Sequence, residues 1–221
     1  MAAILASLAY SGAVLEWAPP ATKSPRSAVA RADEGQLYRN SEFGFTFRIP
    51  FGWVDRTSHL AVIQGKANAG SDNPPWETKP APVSREQGNV LLGIFERPPE
   101  VTSDSVNSAV VIAYENAATY PGLKKAEDYV EPITEAATAQ GFKMVGEAYR
   151  IDVESRTLVR ADFMKSLRVK PEAAEITMRQ STLVWLSGKR VFSFTFIATT
   201  EEDLDEIMDG LHFSSVKVAP H

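Results

Sequence analysis

The clearest pattern in the chain is Phe43-Gly-Phe-Thr-Phe-Arg-Ile49. Phe43, Phe45, Phe47 and Ile49 fall on one side, and Gly44, Thr46 and Arg48 on the other. A period of two predicts a half-buried strand. Pro50 ends it, and Gly52 permits a tight turn that returns Trp53 toward the core. Leu60–Gln64 reads as a second short strand and Val90–Glu96 as another, with Arg97-Pro-Pro-Glu100 interrupting after it. Val106–Tyr114 fits a strand or a helix equally well. Leu123–Gln140 reads as a helix, because Ala126, Val130, Ile133 and Ala137 recur at three or four residues, and Gly141 is placed to end it. Inside it, Pro132 costs roughly 3 kcal/mol through a lost hydrogen bond and a clash one turn back, so the helix is expected to kink or restart there.

A meander follows. Phe142–Val153 carries Val145, Tyr149, Ile151 and Val153 on one face, and Thr157–Val169 carries Val159, Ala161, Phe163, Leu167 and Val169 on one. Glu175–Leu186 and Lys189–Thr199 come next, joined by the hairpin signal Ser187-Gly188. Short turns between sequential strands predict an antiparallel sheet. Thr200 is placed to cap a last helix by accepting the amide of Asp203, and Glu201, Glu202 and Asp203 suit the positive end of its dipole. Leu204, Ile207, Met208 and Leu211 form its apolar stripe, and Phe213–Val218 reads as a closing strand.

The stretch Tyr38-Arg-Asn-Ser-Glu-Phe-Gly-Phe-Thr-Phe-Arg-Ile-Pro-Phe-Gly-Trp53 resembles the start of PsbP-like domains. The shared pattern is an aromatic, a few polar residues, a Phe-Gly-Phe-type strand, then Pro-x-Gly-Trp. The aromatic strand Phe192–Phe196 followed by an acidic helix is similar to the family as well. By order of elements the resemblance spans Leu37–Val218. It implies an α+β fold, an α-β-α sandwich around a central antiparallel sheet. The family includes the extrinsic photosystem II protein, Ran-binding Mog proteins and exported bacterial proteins. These are mostly binding or assembly factors, and the family offers no shared catalytic motif to carry over. The step from fold to function is analogy.

Composition narrows the range further. The chain has 221 residues, 44% hydrophobic and 23% charged, enough for one sizeable core. Ala18–Gln36 holds three prolines without a hydrophobic period, so residues 1–36 read as an apolar segment plus linker and residues 37–221 as one domain. A net charge of −5 supplies no global basic field for nucleic acid. The chain has no cysteine, which excludes disulfides, thiolate nucleophiles, zinc–cysteine sites and iron–sulfur clusters. Met1–Leu15 is apolar and rich in small residues, shorter than the roughly 20 residues needed to span a bilayer. It reads as the core of a signal peptide, with Ala28-Val29-Ala30 as a distant small-x-small site, or as a packed N-terminus. No basic residue precedes it, and Glu16 and Trp17 follow it. The first reading makes the protein extracytoplasmic, periplasmic or secreted; the second leaves it cytoplasmic.

Candidate chemistry is sparse. His59, His212 and His221 are not spaced as metal ligands, and His212, following the last helix, suits its negative end. Gly65-Lys66 and Gly188-Lys189 lack the upstream glycine of a phosphate loop, and no Gly-x-Ser-x-Gly elbow occurs. No catalytic residue, cofactor or metal is expected. Arg160 and Asp162 are expected to form a cross-strand pair on a solvent face, extended by Arg179 and worth about 0–1 kcal/mol. Gly65–Gly88 contains Pro74, Pro75, Pro80 and Pro82 and one large apolar residue, Trp76. A loop of that length is functional or disordered. Trp76 either anchors a partner, with Lys79 and Arg85 as a polar rim, or folds back onto the core. The functional expectation is a non-enzymatic binding or assembly module with a protein partner. The alternative is a small-ligand carrier with an aromatic pocket between the sheet and the Leu123–Gln140 helix.

Overall fold

The computed structural model describes residues 36–68, 89–101, 103, 105–168 and 175–214. The strands are β1 (Leu37–Asn40), β2 (Phe45–Arg48), β3 (Val54–Asp55), β4 (Asn89–Phe95), β5 (Ala109–Asn116), β6 (Lys143–Val153), β7 (Arg156–Leu167), β8 (Ile176–Ser187), β9 (Arg190–Ala198) and β10 (Leu211–Phe213). The helices are α1 (Thr57–Asn68), α2 (Val130–Ala139) and α3 (Glu201–Met208), and a 3-10 turn at Ala126–Tyr129 leads into α2.

The meander β6-β7-β8-β9 forms as its turn chemistry predicts, each strand antiparallel to the next. β5 and β4 continue the sheet beyond β9, giving the order β3-β4-β5-β9-β8-β7-β6. The ambiguous Val106–Tyr114 segment thus contributes a central strand, hydrogen-bonded to β4 and β9. The first and last strands do not join this sheet. β1, β2 and β10 make a separate three-stranded antiparallel sheet.

The small sheet and α3 form one layer over the large sheet. The alternating residues Phe43, Phe45, Phe47 and Ile49 are all buried there, against Phe192, Phe194 and Phe196 of β9. Phe45 meets Phe194 edge-on at 5.4 Å, and Phe43 meets Phe192 at 4.7 Å. Such pairs add about 0.5–1.5 kcal/mol beyond area burial. Thr200 accepts the amide of Asp203 as the sequence predicts, and Leu204 and Ile207 seat α3 on the sheet.

Helices cover the opposite face. Tyr129, Ile133 and Ala137 pack on Val159, Ala161, Phe163 and Val184. The break expected at Pro132 comes earlier, where the 3-10 turn passes into α2. Pro132 lies in the first turn of α2, where its missing N–H has no partner to lose. Gly141 ends this helix with φ +84°, a left-handed conformation that glycine adopts without strain. The architecture is the expected α+β sandwich, with helices on both faces of an antiparallel sheet and a second small sheet sharing the α3 layer.

Three expectations are corrected. Leu60–Gln64 lies inside α1 and is not a strand. The run is too short for periodicity to distinguish strand from helix, whereas Asp55 Oδ1 accepts the Thr57 amide at 2.8 Å and starts the helix. Leu60 also requires a bare backbone opposite it, because a Cβ at Gly93 would stand 2.3 Å from its side chain. Helix α1 runs to Asn68, so residues 65–68 of the expected loop are helical, and residues 69–88 lie outside the described residues. The closing strand is Leu211–Phe213, earlier than expected; residues beyond 214 are not described.

Candidate interaction surface

Strands β6 and β7 run past the layer that covers them. Residues paired across an antiparallel ladder share a face, and on one face the β6–β7 pairs are Ile151 with Leu158, Tyr149 with Arg160, Val145 with Asp162 and Lys143 with Met164. At one end Leu158 is buried and Ile151 packs on the aromatic core. Toward the other end Val145 is 40% exposed, Tyr149 46% and Met164 37%. The alternation in β6 puts Val145 and Tyr149 on one face with Ile151 and Val153; they lie on that face, but no described element covers them.

The centre of this open surface is polar and tightly joined. Arg160 Nε donates to both oxygens of Asp162, at 2.9 and 3.1 Å. Its Nη1 reaches Asp205 of α3 at 3.5 Å. The guanidinium lies 5.9 Å from the centre of the Tyr149 ring, and the Tyr149 hydroxyl donates to Asp162 at 3.4 Å. Burial works to lower the Arg160 pKa, but the hydrogen bond and charge of Asp162 outweigh it, so the guanidinium is held above its ordinary value. Burial first, and then the Asp162 charge, raise the Tyr149 phenol. Ser181, the register neighbour of Asp162 on β8, is fully buried and its hydroxyl has no partner among the described residues.

The expected pair is therefore present with different geometry. Arg160 and Asp162 lie two residues apart on one strand, not across strands, and the third member is Asp205, not Arg179. Period two places residues i and i+2 side by side on a face, and α3 brings Asp205 over them. The composition of β6 carried one signal of the open end: Glu147 stands between Val145 and Tyr149, where period two asks for an apolar residue.

Other groups converge elsewhere. Glu115, nearly buried at the end of β5, accepts a hydrogen bond from Tyr120, whose ring meets that of Tyr129 edge-on at 4.9 Å. Burial, then Glu115, push both phenols well above their ordinary range, so both are neutral at physiological pH. Sequence reading found no such cluster, because these residues are brought together by the 3-10 turn and not by spacing. His212 does not complement the end of α3. Its Nδ1 lies 3.0 Å from Glu154 in the β6–β7 turn, and Glu154 also accepts the Phe213 amide at 2.7 Å. His59 is exposed on α1, and among the described residues no group of His, Asp and Glu is placed to hold a metal. Trp76, Lys79, Arg85 and His221 lie outside the described residues. Between the sheet and the helix, where the carrier reading places its pocket, Tyr129, Ile133, Ala137, Phe142 and Phe163 pack in one cluster. Among the described residues, no helix is long and apolar enough to cross a membrane.

No family model matches the chain, and no curated protein sequence matches it. Solved structures do resemble it. The solution structure of cyanobacterial PsbP (CyanoP) from Synechocystis sp. PCC 6803 is 13% identical with a TM-score of 0.45, covering 85% of this chain and 98% of that one. LpqN of Mycobacterium tuberculosis, described as involved in cell envelope biogenesis, is 14% identical with a TM-score of 0.36, over 84% and 88% of the two chains. The Saccharomyces cerevisiae Ran-binding protein Mog1p is 11% identical with a TM-score of 0.40, over 80% and 94%. Each of these is a similarity of fold at a TM-score below 0.5.

Proposed function

We propose that this chain is a non-enzymatic binding or assembly module that engages a protein through the open β6–β7 face beside α3. The observation that supports this reading is the cluster Val145, Tyr149 and Met164, exposed at one end of a sheet face whose other end is covered. An exposed apolar cluster marks an interaction site, and Tyr and Arg are enriched among residues that carry binding energy. The buried ionisable groups near β5 suit a structural role better than catalysis, since Tyr129 is enclosed by packing and both phenols are locked neutral.

A photocrosslinking residue in place of Met164 tests the reading in cells. A single identified protein is expected as the adduct, and Tyr149→Lys should abolish it while leaving the melting temperature within a few degrees. Absence of an adduct, or an adduct indifferent to Tyr149→Lys, would remove the proposal. Trp76, with Lys79 and Arg85, is proposed as a second contributor to partner binding. For that, Trp76→Ala should weaken capture of the same partner without loss of stability; a large drop in melting temperature would make it a core residue instead. Export, periplasmic or secreted, is proposed on the apolar run Met1–Leu15, and N-terminal sequencing of the cellular protein tests it.

A further inference from the structure

Helix α3 and the residue that follows it read Glu201-Glu-Asp-Leu-Asp-Glu-Ile-Met-Asp209, with six carboxylates and no basic residue. Leu204 and Ile207 face the sheet. The contact from Asp205 to Arg160 fixes which flank of the helix looks onto the open face. Glu201 and Met208 share that flank with Asp205, and Glu202 and Asp209 continue the acidic surface outward into solvent. Glu201, Glu202 and Asp209 are exposed, and among the described residues no cation pairs with them. Arg160 offsets only part of the wall, because its one charge is shared between Asp162 and Asp205. The remaining cations, Lys143 and Arg179, lie at the far rim, beside Met164 in the ladder.

The geometry points to a cationic amphipathic protein segment as the occupant of this face, with aliphatic or aromatic side chains on Val145, Tyr149 and Met164 and Lys or Arg toward α3. This rests on the reading of the face as an interaction surface. The acidic wall selects against anionic occupants. An anionic lipid surface or a nucleic acid would be repelled, whereas a second copy would reveal itself as a dimer in solution. A basic partner is instead steered toward the wall, with an on-rate that falls as salt rises.

Amide chemical shifts of the full chain, titrated with two synthetic peptides, test this. One peptide alternates lysine with valine, and the other carries glutamate at each lysine position. The lysine peptide is expected to shift Val145, Tyr149, Met164 and the α3 amides, with affinity falling at least tenfold between low salt and 0.5 M NaCl. Glu202→Lys and Asp209→Lys, both on exposed positions, should together weaken it about tenfold with no change in melting temperature, and Tyr149→Ala should weaken it independently. If the glutamate peptide shifts the same amides equally, the cationic class is wrong and the interaction surface stands. If the lysine peptide shifts amides elsewhere, or neither peptide shifts any, this inference falls, and the crosslinking result decides the surface separately. A dimer in sedimentation that Tyr149→Ala dissolves would assign the face to a second copy and overturn it.

Discussion

At Ile151 and Leu158 the β6–β7 pair joins the aromatic core between the two sheets; at Val145, Tyr149 and Met164 the same two strands, on the same face, meet solvent. Both ends carry apolar side chains, and both are flanked by α3 or the small sheet. The difference lies in what closes over them. The covered end is filled by aromatic rings in edge contact, so its residues answer to packing. The open end is organised by Arg160, which ties the two strands to α3 without burying the apolar groups around it. Local sequence therefore fixes which way a side chain points, and the extent of the opposite layer decides whether it becomes core or surface.

The largest expected effect breaks the covered end. Phe194 is fully buried and lies 5.4 Å from Phe45 and 5.9 Å from Phe213 between ring centres. Phe194→Ala should cost about 3–5 kcal/mol in urea unfolding, through lost transfer energy and the cavity left behind. Next comes the boundary between the two ends. Thr200→Ala removes the cap of α3 and should cost about 1 kcal/mol by the same measurement. It should also broaden the amide resonances of the open end, because Asp205 is then less firmly held.

At the open end itself, Tyr149→Ala should cost less than about 1 kcal/mol, since only an exposed cation–π contact and a long hydrogen bond are lost. A cost near that of Phe194→Ala would erase the contrast between the ends. The smallest effect is one of pH. The Glu154 carboxyl is held below its ordinary value, first by the hydrogen bond with the His212 ring and then by the Phe213 amide. A carboxyl lowered by folding adds stability above its ordinary pKa and loses it as pH falls through the lowered value. The melting-temperature gap between the wild type and Glu154→Gln should be full at neutral pH and close progressively below the ordinary value of 4.5.

These particulars show how far the sequence could be read. The Phe43–Ile49 alternation named its buried residues because a strand covered on one face along its whole length has only one reading. Thr200 and Gly141 were legible because helix ends depend on local hydrogen bonds. Leu60–Gln64 has no readable period because five residues hold less than two turns; the Asp55 cap starts the helix and the approach of Leu60 to Gly93 seats it. The alternation of β6 gives the shared face of Val145, Tyr149, Ile151 and Val153, but not how much of it is covered, since nothing local records where a covering layer stops. Asp205 was legible only as part of an acidic helix; its place beside Arg160 is a product of tertiary packing between residues 45 positions apart.

The ladder between β6 and β7 slips between Val145 and Tyr149, where four residue steps on β6 answer two on β7, and Gly146 takes φ +69°. β6 is the last strand of the seven, eleven residues long, and its outer edge is unpaired among the described residues. A straight edge of that length is a template for fibre growth, and a bulge that bends it out of line prevents a second chain from adding in register. The two surplus residues therefore break the line of backbone donors and acceptors along that edge, so a second strand meets a matching register over only part of its length.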